Sequence, residues 1–139
     1  MADRATTRPQ SAIDAALAAI AFDARGLVPA IAQQHDSGEV LMMAWMNRDA
    51  VAETLRTGRV CYFSRSRDAL WRKGESSGQT QALVDFRIDC DNDTVLVLVD
   101  QIGVACHTGR RSCFFSAVRD GGIETIAEVE IDPDKLYPK

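Results

Sequence analysis

Asp89-Cys90-Asp91-Asn92-Asp93, then the run Thr94 to Asp100, then Ala105-Cys106-His107-Thr108-Gly109-Arg110-Arg111-Ser112-Cys113, is the stretch on which the reading of this chain turns. Its middle is rich in valine and leucine and reads as a strand. Its two ends collect three of the four cysteines, three aspartates and one of the two histidines. Hard oxygen ligands and soft sulfur ligands are interleaved there.

An extended backbone over residues 88–93 would alternate side chains between faces. Asp89, Asp91 and Asp93 are then expected on one face and Cys90 on the other. Three carboxylates so close repel one another unless a cation lies between them, and oxygen donors suit Mg²⁺ or Ca²⁺. Asp-Asn-Asp is equally good sequence for a solvated turn. Cys106 and Cys113 flank a polar hexapeptide, so they stand at the mouths of a loop. Three sulfurs without a tight C-x-x-C pair give a moderate zinc signal, of the three-ligand type that leaves a position open. Cys61, between Val60 and Tyr62, reads as core packing. His107, next to Cys106, reads either as a general base or as a residue that hydrogen-bonds within its loop. His35 falls in a turn and is expected to be exposed.

A second constellation lies in Ser64-Arg65-Ser66-Arg67 and Trp71-Arg72-Lys73-Gly74-Glu75-Ser76-Ser77-Gly78. Arginine grips phosphate bidentately, lysine supplies a point charge, and serine hydroxyls and glycine-freed amides complete a cradle. The alternative is a solvated charged loop, with Trp71 anchoring it rather than stacking on a base. The whole stretch from Ser64 to Gln81 reads as one long ordered loop.

The rest of the chain supplies the frame. Residues 1–9 read as a flexible tail and 10–139 as one domain. Ser11 to Ile20 reads as a helix, with Ser11 capping and Asp14 completing a capping box. Val28–Gln34 and Glu39–Met46 form a hairpin. Asn47 caps a helix over Arg48–Arg56, which Gly58 ends. Val60–Ser64, Ala82–Cys90, Thr94–Asp100 and Cys113–Val118 are strand candidates. The sum is an α+β domain, mainly antiparallel sheet with two or three short helices.

The chain has 139 residues, 46% hydrophobic and 26% charged, with a net charge of −4. These values describe a soluble globular protein, argue against nucleic acid as a partner, and leave no membrane-spanning run. No secretion signal is evident, so a cytoplasmic setting with reduced thiols is expected, favouring metal binding over disulfides.

Taken in order, Gly38-Glu39-Val40-Leu41-Met42, Met46-Asn47, Ser64-Arg65-Ser66-Arg67, Leu70-Trp71, Lys73-Gly74-Glu75, Ser77-Gly78, Asp89-Cys90-Asp91, Asp93, Ala105-Cys106-His107-Thr108-Gly109 and Ser112-Cys113-Phe114 resemble the phosphoribosyl-AMP cyclohydrolases of histidine biosynthesis. The resemblance covers about residues 27 to 116. Trp45 stands where the family pattern suggests tyrosine, and Gln33-Gln34-His35 departs from its Gln-Asp. The resemblance implies an intertwined homodimer with metal sites shared between subunits. It implies Zn²⁺ on Cys90 of one subunit with Cys106 and Cys113 of the other, and Mg²⁺ on Asp89, Asp91 and Asp93. Zinc-activated water, with His107 as catalytic base, would open the N1–C6 bond of 1-(5-phosphoribosyl)-AMP. The product would be the formimino-aminoimidazole carboxamide ribotide intermediate. Ser64, Arg65, Arg67, Trp71, Lys73, Ser76 and Ser77 would hold this phosphorylated nucleotide. Relatives fused to a pyrophosphohydrolase are longer, so the cyclohydrolase alone is expected. A zinc deaminase is the rival enzyme, but the H-x-E and P-C-x-x-C signature is absent. A non-catalytic zinc-stabilised module is the other rival, and it requires a closed four-ligand site.

Overall fold

The computed structural model describes residues 6–137. The chain runs α1 (Gln10–Ala19), β1 (Val28–Gln34), β2 (Val40–Met46), α2 (Arg48–Thr57), β3 (Cys61–Ser64), β4 (Ala69–Arg72), β5 (Gln81–Ile88), β6 (Val95–Gln101), β7 (Ser116–Arg119), β8 (Gly122–Thr125) and α3 (Pro133–Leu136). Six strands form one sheet in the order β4-β3-β2-β1-β6-β5, and β7 pairs with β8 apart from it. Only the β1–β6 pair is parallel, so the α+β, mainly antiparallel expectation holds. None of the helices among the described residues is long and apolar enough to cross a membrane.

Strand alternation sets the core. Val28, Ala30 and Ala32 of β1 and Val95, Val97 and Val99 of β6 are buried on one face. Ile13 and Ile20 with Ala50, Val51 and Leu55 belong to the same apolar cluster, bringing α1 and α2 over that face. Ile31, Leu96 and Leu98 lie at the alternate positions and stay half-buried. Cys61 is fully buried, and burial followed by the nearby Glu53 pushes its thiol up to about 12, which suits a packing role.

Local chemistry explains the helix boundaries, with one correction. The Asn47 side chain accepts the Ala50 N–H at 2.8 Å, and Gly58 ends α2 at φ 73°. Helix α1, by contrast, starts one residue before Ser11. Pro9 occupies the cap position with no side-chain bond, and Asp14 accepts from the Gln10 Nε2 at 2.9 Å instead of closing a capping box. Of the expected tail, residues 1–5 lie outside the described residues. Thr6 and Arg8 hydrogen-bond through their amides to the Leu83 and Leu55 carbonyls.

Two further readings are corrected. The stretch from Ser64 to Gln81 is not all loop, because β4 pairs with β3 from Cys61–Arg72 to Ser64–Ala69. The turn between them uses Asp68 at φ 51°. His35 is not exposed: its side chain is 14% accessible, and its Nε2 is buried without a hydrogen-bond partner.

Candidate metal centre and substrate cavity

Strand β5 ends at Ile88, and residues 89–94 form a turn rather than the extended segment expected. The Asp89 carbonyl accepts the Asn92 N–H at 3.1 Å, with Asn92 at φ 67°. Asp89 Oδ1 accepts the Asp93 and Thr94 amides at 3.0 and 3.1 Å. Strand alternation therefore does not sort the ligands. The aspartates converge because the turn curls, and one oxygen from each of Asp89, Asp91 and Asp93 lies within 4.8 Å of the others. Hydrogen bonding with the Asp93 carboxyl, then desolvation and the charges of Asp89 and Asp93, raise the Asp91 carboxyl. Desolvation works against Asp89, but the Thr94 and Asp93 amides outweigh it and lower that carboxyl. Three carboxylates held this way have the oxygen chemistry of a Mg²⁺ site.

The second cysteine pair sits on a different scaffold. Ala105 and Cys106 donate their amides to the Arg111 and Arg110 carbonyls at 3.0 and 3.1 Å, closing the loop expected between Cys106 and Cys113. Gly109 turns it at φ 88°, and an added Cβ there would lie 1.9 Å from the Ile131 carbonyl oxygen. Glu130 and Ile131 donate to the Gly109 carbonyl at 2.8 and 3.1 Å, so the C-terminal segment straps the loop. The Cys113 amide donates to the Leu41 carbonyl at 2.7 Å, and the Ser112 hydroxyl to Val40 at 2.7 Å, which fixes Cys113 against β2. The Thr108 hydroxyl donates to Cys106 Sγ at 3.0 Å. Burial, then the neighbouring Cys106, push the Cys113 thiol up to about 12, with Lys73 opposing. Two neighbouring sulfurs suit a soft divalent cation, whose charge would offset what disfavours the Cys113 thiolate.

Cys90 does not join them within one chain. Its turn precedes β6 and the Cys106 loop follows it, and the seven residues of β6 span roughly 20 Å. Among the described residues, the only cluster of three metal-ligating groups is the aspartate trio. Cys90 and Cys113 are exposed, whereas Cys106 is buried.

The expected substrate residues gather around Trp71, which lines three adjoining cavities. The largest, about 720 Å³, is walled by Ser64, Arg65, Ser66 and Arg67 together with Arg25 and Trp45. The next, about 340 Å³, takes in Arg67, Lys73, Gly74, Glu75, Ser76, Ser77 and Tyr137. The smallest, about 190 Å³, is lined by Lys73, Ala105, His107, Cys113 and Tyr137. His107 is solvent-exposed, and its ring makes no hydrogen bond to a described residue. The Arg65 guanidinium sits 4.8 Å from the Trp45 ring centre.

The basic cluster is divided by the alternation of β4. Arg72 leaves it, making a bidentate pair with Glu53 of α2 at 2.7 and 2.8 Å. Lys73 is 8% exposed and donates Nζ to the Ala105 carbonyl at 2.7 Å. Burial lowers its ammonium, while the nearby Cys113 and Cys106 sulfurs act the other way. Lys73 thus ties the serine-rich loop to the cysteine loop. Arg25 and Tyr137 were not visible as site residues in the sequence, since each lies far along the chain from the motifs it joins.

The family model described as phosphoribosyl-AMP cyclohydrolase matches residues 42–115. The chain is 70% identical over 131 residues to a phosphoribosyl-AMP cyclohydrolase of Paramagnetospirillum magneticum, covering 93% of this chain and 99% of that one. It is 69% identical over 125 residues to one of Alkalilimnicola ehrlichii, covering 90% and 88%. It is 58% identical over 134 residues to one of Halorhodospira halophila, covering 95% and 94%. With the family model spanning more than half of its length and relatives this similar along almost all of it, the chain belongs to the phosphoribosyl-AMP cyclohydrolase family, a family of hydrolytic enzymes.

Proposed function

We propose that this enzyme opens the purine ring of 1-(5-phosphoribosyl)-AMP by hydrolysis of the N1–C6 bond, a step of histidine biosynthesis in a cytoplasmic setting. The observation that carries this reading is the cavity where Cys113, His107 and Lys73 meet Trp71, beside arginine- and serine-lined pockets suited to phosphate. Alkylation at N1 leaves C6 electron-poor. Water adds to C6, the N1–C6 bond breaks, and the exocyclic nitrogen stays behind as a carboxamide. His107, which lines that cavity beside Cys113, would take the proton from the attacking water and return it to the departing N1. Trp71 offers a face for the base, and Ser64, Arg65, Arg67, Ser76 and Ser77 offer donors for the phosphates.

Cys106 and Cys113 of one chain, with Cys90 of a second, would hold Zn²⁺, which supplies the Lewis acidity that lets water attack near neutral pH. Asp89, Asp91 and Asp93 would hold Mg²⁺. The span of β6 between Cys90 and the other two cysteines supports sharing between subunits. So do the apolar residues left exposed, Phe114, Val118 and Ile123, which a second copy would cover.

The test is ring opening of 1-(5-phosphoribosyl)-AMP, followed by absorbance with ammonia measured in parallel, before and after chelation and zinc repletion. Turnover without ammonia, lost on chelation and regained with zinc, is expected. Ammonia release would point to deamination, and undiminished turnover in metal-free protein would remove zinc from the reaction.

A further inference from the structure

The cavity of about 720 Å³ has a lining suited to an anion. It is lined by Arg25, Arg65 and Arg67 and the Ser64 and Ser66 hydroxyls, and no carboxylate is among its lining residues. That is a concentrated positive charge on a chain of net charge −4. The guanidinium groups of Arg25 and Arg67 make no hydrogen bond or ion pair with a described residue. Arg25 comes from outside the basic loop and is delivered by a turn that closes on itself. Asp23 Oδ1 accepts the Arg25 and Leu27 amides at 2.8 and 2.9 Å, and the Asp23 carbonyl accepts the Gly26 amide at 2.9 Å. The register of β1 on β2 sets Pro29 opposite Trp45, which brings this turn to the cavity wall.

The second cavity has a different donor set. The Gly74–Gly78 turn, closed by the Gly78 amide on the Gly74 carbonyl at 2.8 Å, presents Ser76 and Ser77. Trp71 stands between the two cavities and also lines the one holding His107 and Cys113. A substrate with a base at its centre and a phosphorylated ribose on either side fits three lobes around one indole.

We infer that Arg25 completes, with Arg65 and Arg67, a phosphate site for one phosphoribosyl arm. This site is separate from the Gly74–Gly78 turn, which takes the other arm, so Arg25 selects for substrates carrying two phosphates. The inference rests on the proposed reaction. It assigns Arg25 to substrate, a role its position in the sequence does not suggest.

The experiment is steady-state kinetics on 1-(5-phosphoribosyl)-AMP with Arg25→Ala, Arg25→Lys, Arg67→Ala and Ser76→Ala, singly and in pairs. Arg25→Ala is expected to raise KM about tenfold or more, since a charge-assisted contact is lost, and to leave kcat within about twofold. Arg25→Lys should recover part of the loss. The Arg25→Ala effect should multiply with that of Ser76→Ala, because the two act on different phosphates, and should fall short of multiplying with that of Arg67→Ala. The Arg25 side chain is exposed and makes no hydrogen bond or ion pair with a described residue, so its variants should melt with the parent, which separates binding from folding. An unchanged KM in Arg25→Ala, or strong coupling of Arg25 to Ser76, would overturn the assignment. Failure of the unmodified enzyme to open the ring would instead remove the proposed reaction, before any variant is considered.

Discussion

Replacing Lys73 with methionine separates two roles for this residue. The sequence places it among the substrate-binding residues, and the structure gives its Nζ a partner within the chain. Its Nζ donates to the Ala105 carbonyl at 2.7 Å, and Ala105 is itself 4% exposed. Methionine keeps an unbranched stem against Trp71 and removes only the charge and the donor. The lost charged hydrogen bond is worth about 1.5–3 kcal/mol. Part of this is offset, because burial already disfavours the ammonium. A net loss of about 1–2 kcal/mol remains, or roughly 3–8 °C in Tm for a domain of this size. The second effect is electrostatic. Lys73 opposes the rise of the Cys113 thiol, so its removal makes thiolate harder to form and zinc binding weaker at fixed pH. Thermal melting and zinc competition against a chromophoric chelator read the two effects separately. A Lys73→Met protein with parental Tm and zinc affinity but a raised KM would refute the structural role and return Lys73 to phosphate binding.

Arg67 lines both anion-suited cavities. Arg67→Ala should therefore raise KM more than it lowers kcat, and an unaltered KM would reduce the loop to scaffold. His107→Ala should lower kcat by about 10²–10⁴-fold while zinc content stays constant, as measured by metal analysis alongside initial rates. Gly109→Ala meets the Ile131 carbonyl at 1.9 Å and forces a non-glycine residue to φ 88°. The backbone alone costs about 1–2 kcal/mol, and loss of the C-terminal strap should appear as a lower Tm and weaker zinc binding; a parental Tm would mean that the strap does not hold the loop.

Much of the frame was legible because its signals are local. Asn47 and Gly58 bound α2 by satisfying its own end groups, and the valines of β6 pack as their alternation predicts. Strand β4 was hidden because arginine, serine and glycine around Leu70 and Trp71 resemble a loop, while what makes it a strand is pairing with β3. The cap of α1 was misplaced because Pro9 already supplies extended backbone before the first turn, leaving Ser11 inside the helix. The aspartates were identified as a group, but for a reason that does not hold. They meet through the reversal at Asn92, not through a shared strand face. Arg25 and Tyr137 depend on register and on the path of the C-terminal segment, which no local pattern encodes.

The most direct test of a zinc site built by two chains is complementation between ligand variants. Cys90→Ser and Cys113→Ser should each lose zinc and ring-opening activity alone. Co-refolded in equal amounts, half of the dimers would pair one variant with the other, and each such dimer would hold one intact site of two. Recovery of about a quarter of the parental zinc content and activity is therefore expected, whereas no recovery in the mixed sample would contradict a site shared between subunits.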